Sequence, residues 1–285
     1  MNWRATAISS VFLSAALVAS CKDSGKISVE QAKAHVAFLV DTVASDVEEV
    51  HRGLPQGAAF LAAAWKVEPQ LDGDLKAVRV ALDDSRHRVQ DLRIAKSTFF
   101  ALADLNGVVL RNDQEQDRMA GKALFPAFPA LVDAKTRYVE TTGSLPEASG
   151  VRAPRQDGQW VAATPVVLDG VTKGIYVTGW SWSSYAYRLE FALRSKIRSD
   201  LGSDRDQKEP LLYVFVLVGK SVYGAPVSPD VNMTTIAALD PLSKTKENEP
   251  FAVVIDITGR TFGLAVRRTP SFGNDVGVAV LRSET

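Results

Sequence analysis

Side chains that could do chemistry are few in this sequence, and they are scattered. Cys21 is the sole cysteine among 285 residues, and the histidines are His35, His51 and His87. A single thiol excludes a disulfide within the chain, a Cys-x-x-Cys redox pair and a thiolate metal cage. No two histidines stand three or four positions apart, the spacing that places two ligands on one helix face, so solvent-facing or structural roles are expected for all three. No Gly-x-Ser-x-Gly elbow is present to carry a nucleophile. A Ser-His-acid relay would also have to draw its histidine from amino-terminal helices that orient it poorly. Asp240, Asp256 and Asp275 fall at strand ends and turns, where aspartate is common. Residues 170–179 contain glycines but neither the Gly-Lys-Ser/Thr ending of a phosphate loop nor the dinucleotide fingerprint. The expectation is a protein without catalysis, cofactor or metal.

What the chain does carry is an aromatic strand. Over residues 174–182, Tyr176, Thr178, Trp180 and Trp182 alternate with Ile175 and Val177, so the first set shares one face. On the preceding strand Trp160, Ala162 and Thr164 fall on one side. Rings supply apolar area while phenol and indole groups supply directed hydrogen bonds, a combination that suits a pocket for an organic ligand. Arg137 and Tyr138 stand in the segment before these strands, where a guanidinium could clamp a carboxylate with two parallel bonds. Asp104 and Arg111 could reach the rim. The same aromatics would equally serve as packing beneath a long helix, and the residues alone leave both readings open.

The amino terminus implies how the chain is delivered. Arg4 supplies a positive charge, residues 5–18 form an apolar run broken by Thr6 and three serines, and small residues lead to Cys21. This is the layout of a secretory signal peptide, too short for a membrane-spanning helix of about 20 residues. The run Val18-Ala19-Ser20-Cys21 resembles the lipobox of bacterial lipoproteins. The resemblance implies that residues 1–20 are a signal peptide, that Cys21 receives a diacylglyceryl group, and that the new amino terminus is acylated, palmitate being a typical chain. Each buried methylene contributes about 0.8 kcal/mol, so two or three chains hold a protein at a bilayer durably. Lys22 stands where well-studied bacteria place an inner-membrane retention aspartate, which favours the outer membrane.

Composition narrows the partners. Lysine plus arginine equals aspartate plus glutamate at 33 each, and no basic block marks a nucleic-acid footprint. Apolar residues make up 46% and charged residues 23%, ordinary globular values. The residues past Cys21 suffice for one large or two small domains.

Periodicity then places the elements. Residues 21–27 read as a polar tether. Ser28 and Gln31 form a capping box, and Val29, Val36, Val43 and Val50 recur every seven residues, with Ala32, Val40, Val47 and Leu54 between them. This predicts a helix of about 25 residues that Gly53 and Pro55 interrupt. A second helix is expected over 74–96, completing a helical stalk at 28–98. A hairpin follows at 99–111 around Asn106-Gly107, then helical segments over 125–142, a loop over 143–158, strands at 160–168 and 174–182, and a helix at 185–201. Residues 202–210 read as a charged linker. Beyond it the plan repeats, with strands at 211–218, 221–224, 251–257, 261–268 and 276–281 and a helix at 231–239. The fold class is α+β, with long amino-terminal helices followed by two antiparallel-sheet domains at 99–202 and 210–285.

The hairpin Phe100 to Arg111, the loop Met119-Ala120-Gly121-Lys122, the run from Thr164 to Gly170 and the strand from Lys173 to Gly179 resemble the double Cache domains. These are PAS-like extracytoplasmic sensor domains of bacterial chemoreceptors and sensor kinases. The resemblance implies a small-molecule ligand, such as an amino or organic acid, lying over the larger sheet beneath the helical segment that joins the two hairpins. In receptors the last strand continues into a transmembrane helix, whereas this chain stops at Thr285. The expected role is therefore a lipid-anchored sensory accessory protein that acts through an envelope partner. The alternative is a structural or interaction lipoprotein with no small-molecule ligand.

Overall fold

A computed structural model describes residues 10–148, 157–202, 209–246 and 249–284, with side chains from Ser24 onward. The expected leader falls partly on residues 1–9, outside the described residues, and so does the side chain of Cys21. Parts of the expected loop (149–156) and linker (203–208) also lie outside them.

Helix α1, Ser10–Val67, is one continuous element. Its buried positions Ala32, Val36, Leu39, Val43, Val47, Val50, Leu54, Ala58, Leu61 and Trp65 step by three or four residues, a single apolar stripe. The interruption expected at Gly53 and Pro55 does not occur. Pro55 sits on the solvent side, where the carbonyl it leaves unbonded can reach water. Gly53 and Gly57 lie on the buried side, and the bare backbone there allows a close approach. A Cβ at Gly57 would stand 2.7 Å from both Leu92 Cδ1 and Tyr176 Cε1. These glycines serve packing rather than termination.

Helix α2, Leu75–Arg88, starts at Asp74, whose carboxylate accepts from the amides of Lys76 and Ala77 at 2.9 and 3.1 Å. Val89 turns extended, and α3, Gln90–Ile94, follows. The second expected helix is therefore two helices.

The first sheet has the order β2-β1-β5-β4-β3 and is antiparallel throughout. Its strands are β1 Phe99–Ala103, β2 Val109–Asn112, β3 Val139–Gly143, β4 Gln159–Leu168 and β5 Val171–Ser181. Helix α4, Trp182–Leu201, follows β5 directly. Strand β3 corrects the expectation of helix: Pro129–Lys135 is a short 3-10 turn and the chain then extends. Pro126 and Pro129 deny a longer helix its amides, and Val139, Thr141 and Thr142 favour the pleat.

The second sheet has the order β7-β6-β10-β9-β8. Its strands are β6 Leu211–Val218, β7 Ser221–Gly224, β8 Phe251–Ile257, β9 Arg260–Arg268 and β10 Val276–Ser283, with α5 Asp230–Ala238 and α6 Pro241–Lys244 between β7 and β8. Thr258 and Gly259, at φ 53° and 79°, make the turn joining β8 to β9, with both central residues in the left-handed region that strand twist favours. The two-sheet α+β architecture expected from sequence is present.

Contacts divide the chain into two compact units. One comprises Asp41–Arg188 with Tyr223–Pro226, and the other the chain up to Val40, Leu189–Val222 and Val227 onward.

Candidate functional site

The candidate site lies on the first sheet. Register brings the expected residues opposite one another: Trp160 faces Trp180, Ala162 faces Thr178 and Thr164 faces Tyr176. Trp160 stacks on Trp180 with ring centroids 4.3 Å apart, and Trp180 stacks on Tyr185 of α4 at 4.6 Å. The Tyr185 hydroxyl donates to Asp46 Oδ2 of α1 at 2.8 Å. Thr178 Oγ1 donates to the Phe99 carbonyl at 2.7 Å. The Tyr176 hydroxyl lies 3.4 Å from Ser85 Oγ, which donates to the Gly57 carbonyl at 3.0 Å.

These aromatics therefore face α1 and α2, and Trp160, Tyr176 and Trp180 are at most 1% exposed. The structure corrects the expected placement, because the segment joining the hairpins covers the opposite face. There Phe99, Ala101, Ala103, Val161, Ala163, Ile175 and Val177 pack beneath Met119, Leu124, Phe128, Leu131 and Ala134. Phe128 is so close to the sheet that a Cβ at Gly143 would stand 2.5 Å from its ring. Apolar side chains pack this face closely, with the buried Gln159 at its margin accepting from the Leu145 amide at 2.7 Å.

Arg137 and Tyr138 part company. The Arg137 guanidinium is largely exposed and paired with Asp133 at 2.5 Å, away from the aromatic face. Tyr138 reaches the margin of that face, its ring stacked on His51 of α1 at 4.8 Å and 6°, its hydroxyl donating to Glu140 Oε1 at 2.7 Å. Burial holds the Glu140 carboxyl above the usual carboxylate range, opposed by the Tyr138 hydroxyl. Asp104 caps its own hairpin by accepting from the amides of Asn106 and Val108 at 2.9 and 2.8 Å. Arg111 pairs with Asp117 at 2.8 Å.

Sequence reasoning missed an acidic pair, Asp46 buried and Glu49 half-buried one turn further along α1. Burial holds the Asp46 carboxyl above the usual range, and burial and then the neighbouring Asp46 do the same to Glu49. Lys96 lowers both, and Arg188 lowers Asp46. The signal was available, since Asp46 interrupts the apolar stripe between Val43 and Val47. Among the residues described, no group of three or more histidine, cysteine or acidic side chains could hold a metal ion, and no helix is long and apolar enough to cross a membrane.

No family model matches the sequence, and no curated protein matches it. Solved structures are similar in fold. The extracellular domain of vpHK1S-Z8 has a TM-score of 0.57 at 11% identity, with 92% of this chain and 93% of that one covered. The ligand-binding domain of the Campylobacter jejuni chemoreceptor Tlp3, in complex with 4-methylisoleucine, has a TM-score of 0.52 at 9% identity, covering 91% and 92%. An extracellular ligand binding receptor from Desulfohalobium retbaense has a TM-score of 0.50 at 11% identity, and there the chain spans 40% of the receptor's length. At such identities the likeness is one of fold. The architecture is α+β and double-Cache-like in fold.

Proposed function

We propose that this chain is an extracytoplasmic sensory accessory protein, tethered through acylated Cys21, that binds a small organic molecule and acts through a partner protein in the envelope. The reading is supported chiefly by the fold likeness. The likeness spans about nine-tenths of this chain and of two solved domains, one extracellular and the other the ligand-binding domain of a chemoreceptor in complex with 4-methylisoleucine. The reaction class we assign is binding without catalysis. A lipid tether lets such a domain stay at the surface where its partner stands.

The filled apolar face beneath Pro129–Lys135 favours a second reading, in which the same fold serves protein contact alone. An α-amino acid brings two charges that need partners once desolvated, which the packed side chains of Phe128, Leu131, Val161 and Val177 do not supply. Thermal-shift titration of the full chain with amino and carboxylic acids at millimolar concentration separates the two. A saturable rise in melting temperature with one compound supports sensing, and a well-folded sample that shifts with none supports the interaction role. Mass spectrometry of the native protein should show acyl chains on Cys21, and an unmodified thiol there would remove the tether.

A further inference from the structure

Helix α1 meets the second sheet within a few residues of Cys21. Gly25 is buried against β8 and β9, where an added Cβ would stand 3.1 Å from both Val254 Cγ1 and Thr261 Cγ2. Ser28 is buried too, and its hydroxyl accepts from the Glu284 amide at 3.3 Å. The backbone of Ser28 and Val29 then crosses the sheet directly over Gly263. All of these residues lie within one unit. The leash between Cys21 and the packed sheet is therefore four residues long.

Four residues span little distance. Fully extended they reach about 14 Å, and as part of the continuous α1 they rise about 6 Å. A headgroup layer is itself about 5–8 Å deep, and a helix with its side chains is about 10–12 Å across. An acylated Cys21 would lie in that layer, so on the helical path the surroundings of Gly25 touch it. Even the stretched path leaves a gap of roughly one side chain. The residues exposed there suit the contact. Ile27 is 53% exposed and Val254 45%. Lys26 precedes Ile27, and Arg260 pairs in register with Ile257 at the end of β8. Both cations are exposed and make no ion pair among the described residues. Asp256, the one acid of β8, has a carboxylate oxygen taken by the Gly259 amide at 2.9 Å. Apolar side chains flanked by cations are what an anionic membrane surface attracts.

We propose that Lys26, Ile27, Val254 and Arg260 rest on the headgroups of the bilayer that holds Cys21. This placement depends on the acylated tether proposed above. It gives the unit an orientation, with the β8 margin at the membrane. Strand β7, at the far edge of the five-stranded sheet, lies about 19 Å from β8 and stands clear of the lipid. A short leash and a matching surface together hold the sheet in one pose, where a long polar leash would leave it free to tumble.

The test is photo-cross-linking of the full chain, as the cell processes it, in phosphatidylethanolamine–phosphatidylglycerol vesicles. Benzoylphenylalanine replaces Ile27, Val254 or Arg260 in turn, and exposed Ser221 of β7 is the control position. Circular dichroism checks that each variant is folded. Mass spectrometry of the same samples reads the acyl chains on Cys21 and the lipid adducts together. Positions 27, 254 and 260 should form lipid adducts at several times the yield at 221. Acylated protein with no adduct at 27, 254 and 260, or with equal yields at 254 and 221, overturns the placement and leaves the tether standing. An unacylated Cys21 removes the tether, and the placement with it. A protein dimer cross-linked from 254 in place of a lipid adduct would assign the margin to a second copy and overturn the placement as well.

Discussion

The Tyr185 hydroxyl donates to the Asp46 carboxylate at 2.8 Å, and both residues are buried, where α4 meets α1 within one unit. Burial makes the charged form of Asp46 costly and raises its pKa, while Tyr185, Lys96 and Arg188 partly offset this. The folded state therefore binds the Asp46 proton more tightly than the unfolded chain does, so this group's contribution to stability falls as pH rises above the ordinary carboxylate range. Asp46→Asn keeps an acceptor for Tyr185 and removes the charge. It should raise the melting temperature near neutral pH and flatten the decline. Tyr185→Phe removes the donor from a buried carboxylate and should cost about 1–3 kcal/mol in chemical denaturation.

His35 carries the opposite slope in the other unit. It is buried on α1, and Arg282 Nη1 donates toward its Nε2 at 3.5 Å. Burial first, and then the positive charges of Arg282 and Lys196, lower its pKa from 6.5 to about 4. Between those values the unfolded chain is protonated and the folded one is not. The contribution is therefore complete above pH 6.5 and lost progressively as pH falls toward 4. The loss amounts to at most about 3 kcal/mol, at about 1.4 kcal/mol for each unit of pKa. His35→Gln should abolish that acid-side decline in a melting series, and an unchanged decline would assign it to other groups.

How much of this was legible in the sequence depends on what the local pattern encodes. Strands β6, β7 and β8 lie at the residues where alternation and turn chemistry placed them, because Gly219 and Thr258-Gly259 punctuate them locally. The alternation of Tyr176, Thr178 and Trp180 was legible, and so was its pairing with Trp160 and Thr164. Which cover each face receives was not legible. Both faces of β5 are apolar, and a period of two names the sides without saying which side meets α1. Helix α1 was underread for a related reason: Gly53 and Pro55 are stop signals locally, and only the approach of Leu92 and Asp91 explains the glycine. Strand β3 was masked by two prolines that signal the end of a helix equally well as its absence.

Two positions on α1, Pro55 and Gly57, should respond in opposite directions. Gly57→Ala adds a Cβ 2.7 Å from Leu92 Cδ1 and Tyr176 Cε1 and 2.8 Å from Ser85 Oγ. Overpacking of this kind costs about 1–3 kcal/mol, more than the gain of up to about 1 kcal/mol from helix propensity. Pro55→Ala lies on the solvent side and restores an intrahelical amide, so it should stabilise by up to about 3 kcal/mol. Denaturant midpoints of the two variants, measured against the parent chain, should move apart. If both rise, the close approach at Gly57 is relaxed in solution.

Phe128 decides whether the face beneath Pro129–Lys135 is a core or a place for a ligand. It is fully buried, it belongs to the apolar cluster with Val161, Val177 and Leu131, and its ring lies against Gly143. If the ring is an integral part of that core, Phe128→Ala removes its contacts and opens a cavity, at a cost of about 3–5 kcal/mol. A dry apolar cavity of this kind takes up benzene, which should restore part of the lost stability in a concentration-dependent way. A thermal shift by an amino or carboxylic acid in the parent chain that disappears in Phe128→Ala would place the acid's site on this face, beside the ring. A shift that persists in the variant would place the acid elsewhere. A loss of stability below about 1 kcal/mol, within what ordinary surface changes produce, would mean that the covering segment already opens in solution, as a ligand-admitting lid must.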